Sequence, residues 1–253
     1  MSLDTEAPTP VKLMEALRAL RALQKNPQDT WQVFRLSEAI KGSSPFKLRA
    51  RFRADPQGRT VLEQRRFLLD TLNRVEWLRD LPLGTLGRTY HDFLAEENLS
   101  AKGLVDVSRG GGPGMVDDGS DRYFIGSRLR DMHDLFHVLS GYGRDELGEI
   151  CVLAFSYPHQ YTRSFAVIAS LGAFVLRKRL GVPGMRRAAL QAWWAGRRVD
   201  WLVVQPLEEL LSQDLGELRR RLHIPKPTRY LVVHDRLRAR GIDIPTPPGR
   251  DLP

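Results

Sequence analysis

DRYFIGSRLRDMHDLFHVLSGYGRDELGE, residues 121 to 149, decides the fold class. At about 100° per residue, Ile125, Leu129, Met132, Phe136 and Leu139 fall in one narrow stripe, which predicts an amphipathic helix over 121–139 with that stripe in the core. His133 and His137 stand four apart at the edge of the stripe, so both rings lie on one side. Asp134 lies further round, and Arg130 shares the histidine side as a supporting or anion-binding cation. Gly141 and Gly143 end the helix and let the chain reverse. Asp145 then offers an N-cap to the next helix, which carries Glu149 inside the otherwise apolar run GEICVLAF, 148–155.

A carboxylate in such a run requires a compensating charge or several hydrogen bonds, because burying it alone is costly. Histidines on a preceding antiparallel helix can hold the ion that supplies this charge. Two imidazoles and two carboxylates, from His133, His137, Asp134 and Glu149, suit a divalent metal, zinc foremost, with an open position for water or substrate. The plainer reading is one satisfied core histidine and one exposed histidine.

Helical periodicity continues outward. PVKLMEALRALRALQKN (10–26) has Leu13, Met14, Leu17 and Leu20 at helical spacing, with Lys12, Arg18 and Arg21 interleaved. DTWQVFRLSEAI follows with Asp29 as N-cap, and GRTVLEQRRFLLDTLNRVEWLRD, TLGRTYHDFLAEENL, MRRAALQAWWAGRR and PLEELLSQDLGELRRRLHI read as further helices. No segment alternates over several strands. The expectation is all-α: a single multi-helix domain, 1–225, with a proline-containing extended C-terminal tail, 226–253, carrying Pro227, Pro245, Pro247 and Pro248. Residues 101–119 form a loop. Its Gly110–Gly112 triplet lacks the lysine and preceding strand of a phosphate loop and reads as a connection or a lid.

With 253 residues, 42% hydrophobic and 27% charged, the chain is long enough for one large core. The net charge of +9 points to an acidic partner, nucleic acid or an anionic membrane surface. The arginines are spread over many helices without a reading motif, which argues against nucleic acid. Cys151 is the lone cysteine, so no internal disulfide forms and a reducing compartment fits. The N-terminus shows no signal core or transit pattern, and the longest apolar run, Ser164 to Leu176, is shorter than a membrane span, so a peripheral or soluble protein is expected.

His133-Asp134-x-x-His137, then eleven residues, then Glu149 resembles the signature of the coenzyme Q (ubiquinone) biosynthesis proteins of the Coq-four family. RFRADPQGRTVLEQR (51–65), LPLGTLGRTYHDFL (81–94), LGEI (147–150) and QAWWAGRRVDWL (191–202) resemble family stretches in the same order, so the likeness covers roughly 12–225. The Gly110–Gly112 stretch looks longer than in the family. The resemblance implies an α-helical, membrane-associated protein in which His133, Asp134, His137 and Glu149 hold a divalent metal. It implies removal of the ring carboxyl from a polyprenylated hydroxybenzoate, hydroxyl taking its place, alongside other ubiquinone-biosynthesis proteins. His133, His137 and Glu149 would then be the catalytic residues, and Glu149 or a metal-bound water would move the proton. The expected location is cytoplasmic, on the inner face of a bacterial inner membrane, or the matrix side in a mitochondrion; a homodimer is compatible with it.

Two other readings stand beside this one. One is a non-catalytic scaffold that binds a prenyl lipid and organises the biosynthetic complex. The other is a His-Asp type metal-dependent phosphohydrolase using His91-Asp92 and His133-Asp134, for which Asp200 or Asp214 would have to complete the site. Trp193, Trp194 and Trp201 with Arg197 and Arg198 read either as a membrane edge or as a packed helix pair.

Overall fold

The computed structural model describes residues 10–25, 29–96 and 117–250. The loop expected at 101–119, with Gly110–Gly112, lies almost entirely outside the described residues. Among the described residues the architecture is all-α, with a single isolated bridge between Thr85 and Asp214 as the one piece of extended pairing. No described helix is long and apolar enough to cross a membrane.

Two helices, α1 (Leu13–Lys25) and α2 (Thr30–Ile40), form an N-terminal hairpin. The α2 N-cap is Asp29, as its position predicts. The hairpin packs on its own small core of Ala16, Ala19, Leu36 and Ala39, which turns Leu13, Met14 and Leu17 outward. The apolar spacing there correctly indicates a helix, but it is the alanines that are buried. They allow α1 and α2 to approach closely, which larger side chains would prevent.

Shorter helices follow: α3 (Ser44–Ala54), α4 (Pro56–Gln64), α5 (Leu68–Leu72), α6 (Val75–Asp80) and α7 (Leu86–Ala95). The long segment 58–80, expected as one helix, is three, broken at Arg65 in a left-handed conformation and again at Asn73–Arg74.

The stretch 121–139 is α8 (Asp121–Asp131) and α9 (His133–Ser140), separated by Met132, whose ψ of −10° departs from the helix for one residue. The flanking hydrogen bonds survive, Met132 N–H to Arg128 O at 3.0 Å and Phe136 N–H to Met132 O at 2.9 Å. The apolar stripe therefore keeps its side: Ile125, Met132, Phe136 and Leu139 are buried and Leu129 packs against them.

The centre of the molecule is α10 (Glu146–Gln160), flanked by α11 (Arg163–Leu180) and α12 (Met185–Arg198). The crossing of α10 and α12 depends on Gly196, where an added Cβ would sit 2.1 Å from the Phe155 carbonyl oxygen. Segment 206–224 is likewise two helices, α13 (Leu207–Leu210) and α14 (Leu215–Arg221).

The C-terminal tail corrects the expectation. It is not extended from 226: α15 (Thr228–Arg238) begins after Pro227 and buries Tyr230, Val233, His234 and Leu237 against the domain. Those four residues have the i, i+3, i+4, i+7 spacing of a core-facing helix, which the prolines on either side obscure. The last residues fold back, with Pro245 O accepting from His234 Nε2 at 2.9 Å and Arg250 pairing with Asp235 at 2.7 Å. The compact body thus runs past 225.

Candidate metal centre

The histidine-bearing helix α9 ends where its glycine dictates. Gly141, at φ +75°, donates its N–H to His137 O at 2.8 Å and turns the chain away. Arg219 reaches in from α14 and donates to Val138 O and Leu139 O at 2.9 and 3.0 Å, satisfying carbonyls that the helix end leaves open. The next helix starts at once, because Asp145 accepts from Leu147 N and Gly148 N at 3.1 Å. The turn is so tight that a Cβ at Gly148 would lie 2.0 Å from Gly143 O. Tyr230 of the tail helix clamps it, accepting from Gly143 N at 3.0 Å and donating to Asp145 Oδ2.

This turn sets α10 beside α9 with Glu149 opposite the histidines. Glu149 Oε1 lies 3.4 Å from His137 Nε2, and Oε2 lies 3.6 Å from His133 Nε2. The imidazole rings are 5.0 Å apart and nearly perpendicular. One donor atom from each of the three residues falls within 4.8 Å of the other two, and among the described residues no other group of three or more such side chains converges like this. The His137 side chain is fully buried, His133 is 29% exposed and Glu149 41%, so the site is closed on the core side and open on the other.

The donor set fits a divalent ion. His137 Nδ1 faces the Tyr142 carbonyl at 3.0 Å; a carbonyl only accepts, so Nδ1 carries a proton and, in the neutral ring, Nε2 carries the lone pair. That Nε2 is buried and, among the described residues, lacks a well-aligned hydrogen-bond partner, although Glu149 Oε1 lies 3.4 Å away. Burial alone would raise Glu149, yet with the imidazoles protonated the His137 charge first, and then the contacts from both histidines, outweigh it and hold the carboxyl well below the usual carboxylate range. Burial would lower His133, but the hydrogen bond and charge of Glu149 raise it overall. The carboxylate demands positive charge here, as protons on the imidazoles or as an ion between them. Two histidines, one carboxylate and an open side match the donor set of a catalytic zinc site.

Asp134 is not brought to these three. It accepts from Arg144 Nη2 at 2.9 Å, both side chains being mostly buried. Arg130, expected beside the histidines, pairs instead with Asp131 at 2.8 Å. Arg144, which sequence reading passed over, stands where Arg130 was expected: its guanidinium lies 4.4 Å above the Phe93 ring, and that ring is 5.5 Å from His137. Nothing but its place in the turn signalled it. Cys151 is a fully buried thiol, raised well above its ordinary value first by burial. The residues a His-Asp phosphohydrolase would need are engaged elsewhere: Asp92 by Arg88 and His91, Asp200 by His223, and Asp214 as the cap of α14.

The family model described as coenzyme Q (ubiquinone) biosynthesis protein Coq4 matches residues 8–228. A mitochondrial ubiquinone biosynthesis protein COQ4 homolog of Danio rerio is 32% identical over 214 residues, 84% of this chain and 76% of that protein. The mitochondrial coq4 protein of Aspergillus clavatus is 29% identical over 196 residues, 76% of this chain and 65% of the relative. For that of Candida dubliniensis the identity is 30% over 186 residues, and the match spans 54% of the relative. A crystal structure from Nostoc punctiforme PCC 73102, of a protein provisionally named for ubiquinone biosynthesis, superposes with a TM-score of 0.62 at 19% identity, covering 85% of this chain and 98% of that one. At that identity the likeness speaks for the fold alone.

Proposed function

The chain belongs to the Coq4 family of coenzyme Q (ubiquinone) biosynthesis proteins, and from that premise we propose that it removes the ring carboxyl of a polyprenylated hydroxybenzoate, using a divalent metal held by His133, His137 and Glu149. The observation that carries this reading is the convergence of those three donors around a buried His137 Nε2 that, among the described residues, makes no well-aligned hydrogen bond.

A zinc ion there would act as a Lewis acid toward the ring carboxylate or phenolate and offset the charge that develops as carbon dioxide leaves. The chain's own groups do the rest. The bond between ring carbon and carboxyl carbon breaks, its electron pair stays on the ring, and one proton restores the aromatic C–H. Glu149, 41% exposed on the open side, would carry that proton in from solvent. The Phe93 ring, covered by Arg144 and adjacent to His137, provides a wall that excludes water. Hydroxyl in place of the carboxyl requires a two-electron oxidant, which these side chains do not supply, so that form of the reaction draws its oxidant from outside the chain.

Association with a membrane surface belongs to the same proposal. Leu13, Met14 and Leu17 are exposed on α1 among Lys12, Arg18 and Arg21, and Leu171, Phe174 and Val175 are exposed on α11 ahead of Arg177, Lys178 and Arg179. Apolar side chains edged by cations suit an anionic leaflet, where a polyprenyl substrate resides. These faces also favour the second reading, a prenyl-lipid-binding scaffold without turnover. Assaying the purified, metal-loaded protein for carbon dioxide release from a polyprenyl hydroxybenzoate separates the two. Loss of metal and of ubiquinone production on His137→Ala or Glu149→Ala is expected; both unchanged would end the metal-site reading.

A further inference from the structure

A second site lies at the far end of α10, about 15 Å along the helix from Glu149. A cleft of about 390 Å³ opens there between the C-terminal turn of α10 and that of α12, with Arg51 of α3 forming one wall. Its charged lining side chains are both cations, Arg51 and Arg197. The Arg51 guanidinium carbon lies over the Trp201 ring at 3.9 Å, and Nη1 donates to the Tyr161 hydroxyl oxygen at 2.9 Å, which leaves the Tyr161 proton to be donated onward. Arg197 rests on Trp193 at 5.0 Å. Among the described residues neither guanidinium has a carboxylate within ion-pair distance, and no carboxylate lines the cleft.

His159 is the buried member of the lining. It is 2% exposed, and the Leu202 N–H donates to its Nδ1 at 3.4 Å. Its proton is therefore on Nε2, and that buried N–H has no acceptor among the described residues. Tyr161 itself is held at φ +55°, a conformation a tyrosine rarely adopts, in the position that brings its hydroxyl to Arg51.

From this geometry we infer that the cleft binds the phosphate group of an ester with an apolar body, held by Arg51, Arg197 and the Tyr161 hydroxyl. Stacked guanidiniums keep their in-plane N–H groups free for oxygens. Two positive charges match the charge of about −1.5 to −2 on a phosphate monoester, and its three terminal oxygens accept more of these donors than the two of a carboxylate. Pro158, Val199 and Trp193 give the apolar body a surface to lie on. The phosphate arrives either on a soluble ester or as a lipid headgroup.

The test is titration of the intact, metal-loaded protein with phenyl phosphate, followed by tryptophan fluorescence. Inorganic phosphate and phosphatidylcholine vesicles doped with phosphatidic acid form parallel arms. Saturable binding of at least one probe is expected. Arg197→Ala and Arg51→Met each weaken it about tenfold, as for one lost charge-assisted hydrogen bond. Arg186→Ala, exposed at the other end of α12, leaves it unchanged, as does Glu149→Gln in the metal centre. A soluble source is indicated if phenyl phosphate binds and the vesicles do not. A headgroup source is indicated if vesicle binding depends on Arg197 and phenyl phosphate competes. The inference falls if no probe saturates by about 10 mM. It also falls if Arg186→Ala matches Arg197→Ala, or if Glu149→Gln abolishes binding that Arg197→Ala spares. Arg197 is exposed and its loss leaves the core intact, so the test stands even where Arg51→Met does not fold.

Discussion

His137 Nδ1 donates to the carbonyl oxygen of Tyr142 at 3.0 Å, and in the neutral ring this one bond sets the tautomer that turns the buried Nε2 lone pair toward Glu149. Side chain and carbonyl belong to the same turn, five residues apart, so the turn that reverses the chain also orients the imidazole.

The partition of acidic residues gives the first prediction. Asp134 is occupied by Arg144, whereas Glu149 faces both histidines. His137→Asn is expected to lose the ion outright. Asp134→Asn should retain it, with affinity lowered at most by the roughly 10- to 100-fold typical of a supporting group. Metal content of the purified variants decides; equal loss in both would place Asp134 among the ligands.

Tyr230 lies in the tail yet holds the site's turn through Gly143 N–H and Asp145 Oδ2. Tyr230→Phe keeps the ring in the core and leaves two buried groups unsatisfied. The expected cost is about 1–3 kcal/mol in urea denaturation, with weaker metal retention because the turn loosens. A variant as stable as the parent would remove the clamp from the account.

Gly148→Ala tests how close the turn lies. The added methyl would meet Gly143 O at 2.0 Å, backbone that cannot move without opening the junction of α9 and α10. A loss of about 3 kcal/mol or more is expected, the upper end of overpacking costs, read as a lowered unfolding midpoint.

Burial, with the Arg51 charge beside it, lowers His159 from 6.5 to about 3. The unfolded chain takes up a proton near pH 6.5 that the folded chain refuses until about pH 3, so this group's contribution is intact above 6.5 and declines as pH falls across that window. The slope is at most about 1.4 kcal/mol per pH unit. Denaturation of the parent and of His159→Gln from pH 7 to 4 should show a shallower decline in the variant.

Truncation after Pro225 is expected to abolish cooperative unfolding. It would remove Tyr230, Val233 and Leu237 from the core, and with them the carbonyls of Pro248 and Gly249 that Arg219 also grips. Circular dichroism melting of the truncated chain checks this; a sharp transition like the parent's would make the tail dispensable.

What the sequence by itself determined was local and periodic. The four-residue spacing of His133 and His137, the stripe from Ile125 to Leu139, the Gly141 stop and the Asp145 cap all follow from contacts within a turn or two of chain, and all are found in place. Tertiary structure decided the rest. Asp134 and Glu149 are equally plausible ligands by type, and only the position of Arg144 separates them. The Arg219 and Tyr230 contacts to the site span some 80 residues or more of chain, and the His159 cleft joins α3, α10 and α12. Periodicity reports which face of a helix is buried; which distant residue meets that face depends on how the helices pack, and no local spacing encodes it.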